Sequence, residues 1–207
     1  MNKGKIIGLI AVLAVAGAAL YGADTAIPKG VQPLMVQGAF YTPSWSCIYL
    51  KGSDELKLKY KPNAWNTYSI KVTKDATTYD GTNGNFSNMN VFRIKSNTDK
   101  PSKDVVLVID NVKIVDGKGK TVYFLDFEDG KSGDVSKTQG RPAADNGTVV
   151  EVGGKKGLML HMKSENMYGY NGLEAQWTLP AAPDGAAGYD LNGGDWTVTY
   201  DYYISVE

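Results

Sequence analysis

Along most of the chain, apolar and polar residues alternate with a period of two, in short runs bounded by Gly, Pro, Asn and Asp. That is the pattern of half-buried strands rather than of helices. The clearest run spans 196–206. Trp196, Val198, Tyr200, Tyr202, Ile204 and Val206 share one face, and Thr197, Thr199, Asp201, Tyr203 and Ser205 the other. A strand this apolar on one face must pair, either with the first half of its own chain or with another molecule. Similar patterning predicts strands at 34–40, 46–50, 55–60, 65–72, 89–95 and 105–115. In the second half it predicts strands at 121–127, 148–152, 158–163 and 173–179. Asp80-Gly81, Asn83-Gly84 and Asp116-Gly117 supply turn chemistry, and 180–194 and 75–88 are the expected loops. Trp65, Trp196, Tyr200 and Tyr202 fall in the phase expected of core residues.

Composition agrees with an all-β chain: there are 24 Gly and 13 Tyr in 207 residues. The 22 basic and 22 acidic residues cancel, which leaves no long-range field to gather nucleic acid or an anionic membrane and points to a neutral partner. Lys3 and Lys5 precede an uncharged stretch, 6–20, that contains Ala16, Gly17 and Ala18. This predicts a secretory signal over 1–26, cleaved after Ala18 or near Ala23. The run is shorter than the roughly 20 residues of a bilayer-crossing helix, so no lasting membrane span is expected. Cleavage after Gly4, leaving an assembly helix, is the alternative. Cys47 is the sole cysteine, so stability rests on the core rather than on a disulfide.

Two stretches together resemble jelly-roll carbohydrate-binding modules of families four, nine and twenty-two. Phe127-Glu128-Asp129-Gly130, then Gly157-Leu158-Met159-Leu160 and the run 164–172 (SENMYGYNG), resemble the opening half. Tyr170 stands where the family usually has Trp, and Asn166 stands near its usual Arg. The stretch 64–116, led by Trp65 and ending in Ile109-Asp110-Asn111-Val112, resembles the closing half. The halves stand in reverse order. Rejoining Val206 to Lys29 would restore one module, which implies an all-β jelly-roll β-sandwich of two antiparallel sheets, circularly permuted. Residues 27–207 then form one domain, with 27–117 the closing and 118–207 the opening half. Pairing of halves between subunits, or a fragment of a tandem array, would also explain the order.

The resemblance implies a structural calcium ion held by Glu128 and Asp110. Because calcium takes six to eight oxygens, Asp126 and a carbonyl near Gly157 are the expected additional ligands. It also implies polysaccharide binding, with rings stacked on pyranose C–H groups and polar side chains on the hydroxyls. Tyr168, Tyr170, Asn171, Trp45, Tyr41 and Tyr203 are the candidates. Catalysis finds little support: His161 alternates within a strand, Cys47 has no activating context, and carboxylates alone do not define a hydrolase. The expectation is therefore an exported, extracellular or cell-surface, non-catalytic binding module. The rival is a subunit of a filament or surface layer in which the last strand pairs with another copy.

Overall fold

The computed structural model describes residues 27–33, 35–97, 104–132, 135–137, 147–162, 173–193 and 195–207, with the backbone alone at 97, 135–137 and 184. Twelve strands are described: β1 (Met35–Tyr41), β2 (Cys47–Leu50), β3 (Trp65–Lys71), β4 (Thr77–Asp80), β5 (Val91–Asn97), β6 (Val105–Val115), β7 (Thr121–Leu125), β8 (Val135–Lys137), β9 (Thr148–Val152), β10 (Lys155–Met162), β11 (Leu173–Thr178) and β12 (Thr197–Ser205). They form two antiparallel sheets. The first has the order β4-β2-β1-β5-β11-β8; the second has the order β3-β12-β6-β10-β9, with β7 also on β6. The sheets pack face to face as a β-sandwich.

Alternation explains which side chains lie between the sheets. Val36, Phe40, Ile48, Leu50, Phe92, Ile94, Leu173, Ala175 and Trp177 of the first sheet meet Tyr68, Ile70, Leu107, Ile109, Leu158, Leu160, Val198, Tyr200, Tyr202 and Ile204 of the second. Tyr68 and Tyr200 stack with ring centroids 4.6 Å apart. Such a pair contributes about 1 kcal/mol beyond the area that it buries.

The even positions of β12 face the core as the alternation predicts, and the strand is central rather than marginal. It pairs with β3 on one side and β6 on the other, both in its own chain. Next to its end, Gly30 bridges Val206, with Gly30 N–H donating to Ser205 O at 3.1 Å and Glu207 N–H to Gly30 O at 3.2 Å. Residues 27–33 thus lie beside the last strand.

Three local expectations are corrected. Residues 55–60, expected as a strand from the Leu/Lys alternation, form none: 55–57 lie in turns and 58–60 are irregular. Leu56, Lys57 and Leu58 donate backbone bonds to Gly52, Asp54 and Ser53, and Lys57 has φ 53°. Leu56, Leu58 and Tyr60 still pack on the core, which is why apolar alternation persists without a strand. Trp65 is not a core residue. The inward phase of β3 is set by Tyr68 and Ile70, so Trp65 lies on the outer face, half-buried against Val106, Val108 and Tyr203. The expected loop at 75–88 contains β4, an edge strand on β2.

β6 carries a bulge that positions polar side chains. Its register to β12 shifts between Thr199 and Asp201, and Asn111 has φ 51°. An extra residue here re-aims the side chains around it. Ile109 and Val112 both point inward, while Asp110 and Asn111 turn toward Asp201.

Candidate functional site

The outer face of the first sheet is not the plain polar surface that alternation predicts. Register sets Ala39 opposite Arg93, Gln37 opposite Lys95, Gln176 opposite Arg93 and Glu174 opposite Lys95. Residues far apart in sequence therefore meet on one side. Arg93 Nη1 donates to Glu174 Oε2 at 3.0 Å and to Tyr41 Oη at 3.2 Å, and its Nη2 donates to Gln176 Oε1 at 2.5 Å. Its guanidinium carbon lies 4.2 Å from the Tyr41 ring centre. Lys95 Nζ lies 3.8 Å above the Tyr49 ring centre. Gln37 Nε2 donates to Leu50 O at 2.9 Å.

Four rings run along this floor. Trp45 to Tyr41, Tyr41 to Tyr49 and Tyr49 to Tyr79 have centroid separations of 5.9, 6.3 and 5.3 Å, the first step edge-on and the other two tilted. The outer two are the accessible ones: Trp45 is 52% and Tyr79 54% exposed, whereas Tyr41 is buried. Tyr41 donates to Tyr49 Oη at 3.3 Å. Burial, with that bond adding, holds the Tyr41 hydroxyl well above the usual phenol range, so it remains protonated. Cys47 is buried beneath these rings and its thiol is pushed up, chiefly by burial.

Trp45 sits at φ 67°, a conformation that bulky residues rarely adopt. Its N–H donates to Thr42 O and Thr42 N–H to Ser46 O, both at 2.9 Å, which close the β1–β2 turn and hold the indole outward. Beside this turn is a cleft of about 340 Å³ lined by Ser44, Ser46, Thr82, Asn85, Ser87 and Asn88. A second cleft, about 840 Å³, is lined by Lys118, Pro180, Ala182, Pro183, Tyr189 and Trp196 among others.

Two of the residues expected to contact sugar, Tyr41 and Trp45, are thus brought together. Tyr203 is separated from them: it lies on the outer face of the second sheet with its ring 5.8 Å from Trp65, because odd positions of β12 point away from the core. Tyr168, Tyr170 and Asn171, like the signal segment 1–26, lie outside the described residues. Tyr49, Tyr79, Gln37, Arg93, Lys95, Glu174 and Gln176 were not singled out by the sequence. Their signal was only that of ordinary outward positions.

The expected calcium set does not assemble among the described residues. Asp110 is buried, and its carboxylate accepts from Asn111 N–H at 2.7 Å and Asn111 Nδ2 at 3.1 Å. Asn111 Nδ2 also donates to Asp201 Oδ2 at 2.9 Å, and Lys155 Nζ lies 3.0 Å from the same oxygen. Burial pushes Asp110 up to about 6, with Asp201 and Glu128 adding, against the Asn111 amide and Lys155. Glu128 is exposed in the turn that follows buried Phe127, Asp126 accepts its N–H at 3.3 Å, and Lys156 Nζ donates to its carbonyl at 2.8 Å. Gly157 is packed against Val108 and the Ile109 carbonyl, so its lack of a side chain answers a steric need. Among the described residues no three Asp, Glu, His or Cys side chains are grouped so as to hold a metal ion, and the positive charge at Asp110 and Asp201 is supplied by the Lys155 ammonium group.

His161 is buried on β10 with Nε2 2.8 Å from Asp104 Oδ2, a paired strand histidine. No described helix is long and apolar enough to cross a membrane.

The fold and this face define a β-sandwich that presents a row of aromatic rings over a buried polar floor. No protein-family profile matches the chain, and comparisons with curated proteins and with solved structures gave no match.

Proposed function

We propose that the chain is an exported, non-catalytic module that binds a polysaccharide on the outer face of its first sheet. The observation that carries this reading is the ring row Trp45–Tyr41–Tyr49–Tyr79 above Gln37, Arg93, Glu174 and Gln176. Exposed indole and phenol faces suit pyranose C–H groups, and amide, guanidinium and carboxylate groups suit hydroxyls. The hydroxyl- and amide-lined cleft beside Trp45 extends the polar surface at the end of the row. A bulky residue held at positive φ and half-exposed is strained, and such strain concentrates at ligand-contacting positions. The assembly reading loses its main support, since both edges of β12 are occupied within the chain.

Retention on immobilised polysaccharides, or a glycan array probed with the purified chain, tests the proposal. Trp45→Ala is expected to lower affinity roughly tenfold or more at unchanged melting temperature. Absence of retention on every polysaccharide, or wild-type binding by the variant, would overturn it.

A further inference from the structure

The floor of this face is mismatched in charge. Arg93 and Lys95 are 6% and 9% exposed, yet among the described residues one carboxylate, Glu174, faces them, and it is bound to Arg93. Lys95 makes no ion pair among the described residues; its ammonium has the Tyr49 ring instead. Arg93 Nε is buried and has no hydrogen-bond acceptor. Arg93 and Lys95 are two residues apart on β5, so their Cα atoms stand about 7 Å apart on one face. A buried charge without a partner is destabilising, and a buried donor without an acceptor adds to that cost. Local features that weaken the fold in this way are typical of sites that a ligand completes.

We infer that the polysaccharide bound on this face is acidic, a uronic-acid polymer whose carboxylates meet the Lys95 ammonium while its sugar rings lie against Trp45 and Tyr79. The inference rests on the polysaccharide reading and deepens it. The chain's zero net charge does not oppose it, because net charge governs long-range attraction whereas recognition depends on the few groups at the contact. Carboxylate matches this floor better than a neutral sugar for a second reason. Hydroxyls can serve as either donor or acceptor, but the Lys95 ammonium offers donors only, and charged acceptors make the stronger bonds to it.

The test is a matched comparison on the full purified chain. Polygalacturonate, polymannuronate and polyglucuronate are each assayed by titration beside the same polymer after carboxyl reduction, with neutral glucan, xylan and mannan included. At least one uronate is expected to bind roughly tenfold or more tightly than its reduced form, with the preference falling as salt is raised. Lys95→Met is expected to bring the two forms within about twofold, and Lys95→Arg to restore the preference. Melting curves of both variants establish that they fold.

Equal binding of charged and reduced polymers, or binding of neutral polymers alone, would overturn the acidic assignment and leave the polysaccharide reading standing. Uronate preference unchanged in a folded Lys95→Met would also overturn the assignment to these residues. Binding to none of the polymers would overturn both.

Discussion

The outer faces of the two sheets carry the same kinds of group in opposite proportion. On the second sheet, Trp65 and Tyr203 stand beside one cation, Lys155, and two carboxylates, Asp110 and Asp201. On the first, Tyr41 and Trp45 stand beside Arg93, Tyr49 beside Lys95, and among the described residues one carboxylate, Glu174, faces these two cations. The difference lies in closure. Asp201 takes bonds from Thr67, Asn111 and Lys155, which outweigh the effect of burial and hold its carboxyl below the usual range. Asp110 takes two from Asn111. The hydrogen bonds of the acidic cluster are made from within, whereas in the basic one Arg93 Nε is left without an acceptor. Similar composition can therefore serve structure on one face and recognition on the other, and satisfaction of donors and acceptors tells them apart.

The largest break of this comparison is expected at Gly157. An added Cβ would lie 2.8 Å from the Ile109 carbonyl oxygen and 2.7 Å from Val108 Cγ1, under Trp65. Gly157→Ala should cost about 3 kcal/mol in a urea unfolding curve, since backbone cannot yield as a flexible side chain can. Wild-type stability would show that the second face is looser than its contacts imply.

Asp201→Ala removes the acceptor of three side chains and should cost about 2 kcal/mol, with Asp201→Asn costing less. The two lysines provide the sharpest contrast. Lys155→Met should destabilise by about 1 kcal/mol, while Lys95→Met should leave stability unchanged or raise it by about 1 kcal/mol, because it removes an unpaired buried charge. Effects of equal sign and size would erase the distinction between the faces.

Asp110 adds a pH signature. Its folded value of about 6 lies above the 3.8 of an ordinary aspartate. At pH 7 both folded and unfolded chains carry the charge, and the folded one bears its burial. As pH falls through 6, the folded carboxyl takes up a proton first, so stability rises until the unfolded chain also protonates near 3.8. Asp110→Asn should flatten this rise between pH 6 and 4 and add on the order of 1 kcal/mol at pH 7, after allowance for solvent near the sheet surface. A variant with the wild-type slope would assign the titration elsewhere. Smallest of all, chelator is expected to leave the melting temperature unchanged. A clear drop would show that an ion, rather than Lys155 alone, neutralises Asp110 and Asp201.

Much of the strand content was legible because alternation is written locally. The run 196–206 placed Val198, Tyr200, Tyr202 and Ile204 in the core, as found. The same signal misled at 55–60, where Leu56 and Leu58 reach the core from a turn and the irregular chain after it. It misled again at Trp65, since a large ring at a strand's first residue fits either face. Of the candidate site, Trp45 and Tyr41 were legible only as two of the aromatic candidates that the resemblance implied. Arg93 and Lys95 were not, because a charged residue between Phe92 and Ile94 looks like any solvated outward position.

The sequence by itself determined that the chain builds strands, and which side of most strands is apolar, because both depend on residues two apart. Only the tertiary structure decided that β12 lies between β3 and β6, and that β5 lies between β1 and β11. Those pairings join residues as far apart as Arg93 and Glu174, and they depend on how whole faces fit together. Whether a surface lysine is a solvated charge or an unmatched one in a floor of rings is settled by its neighbours across the sheet, which no local pattern encodes.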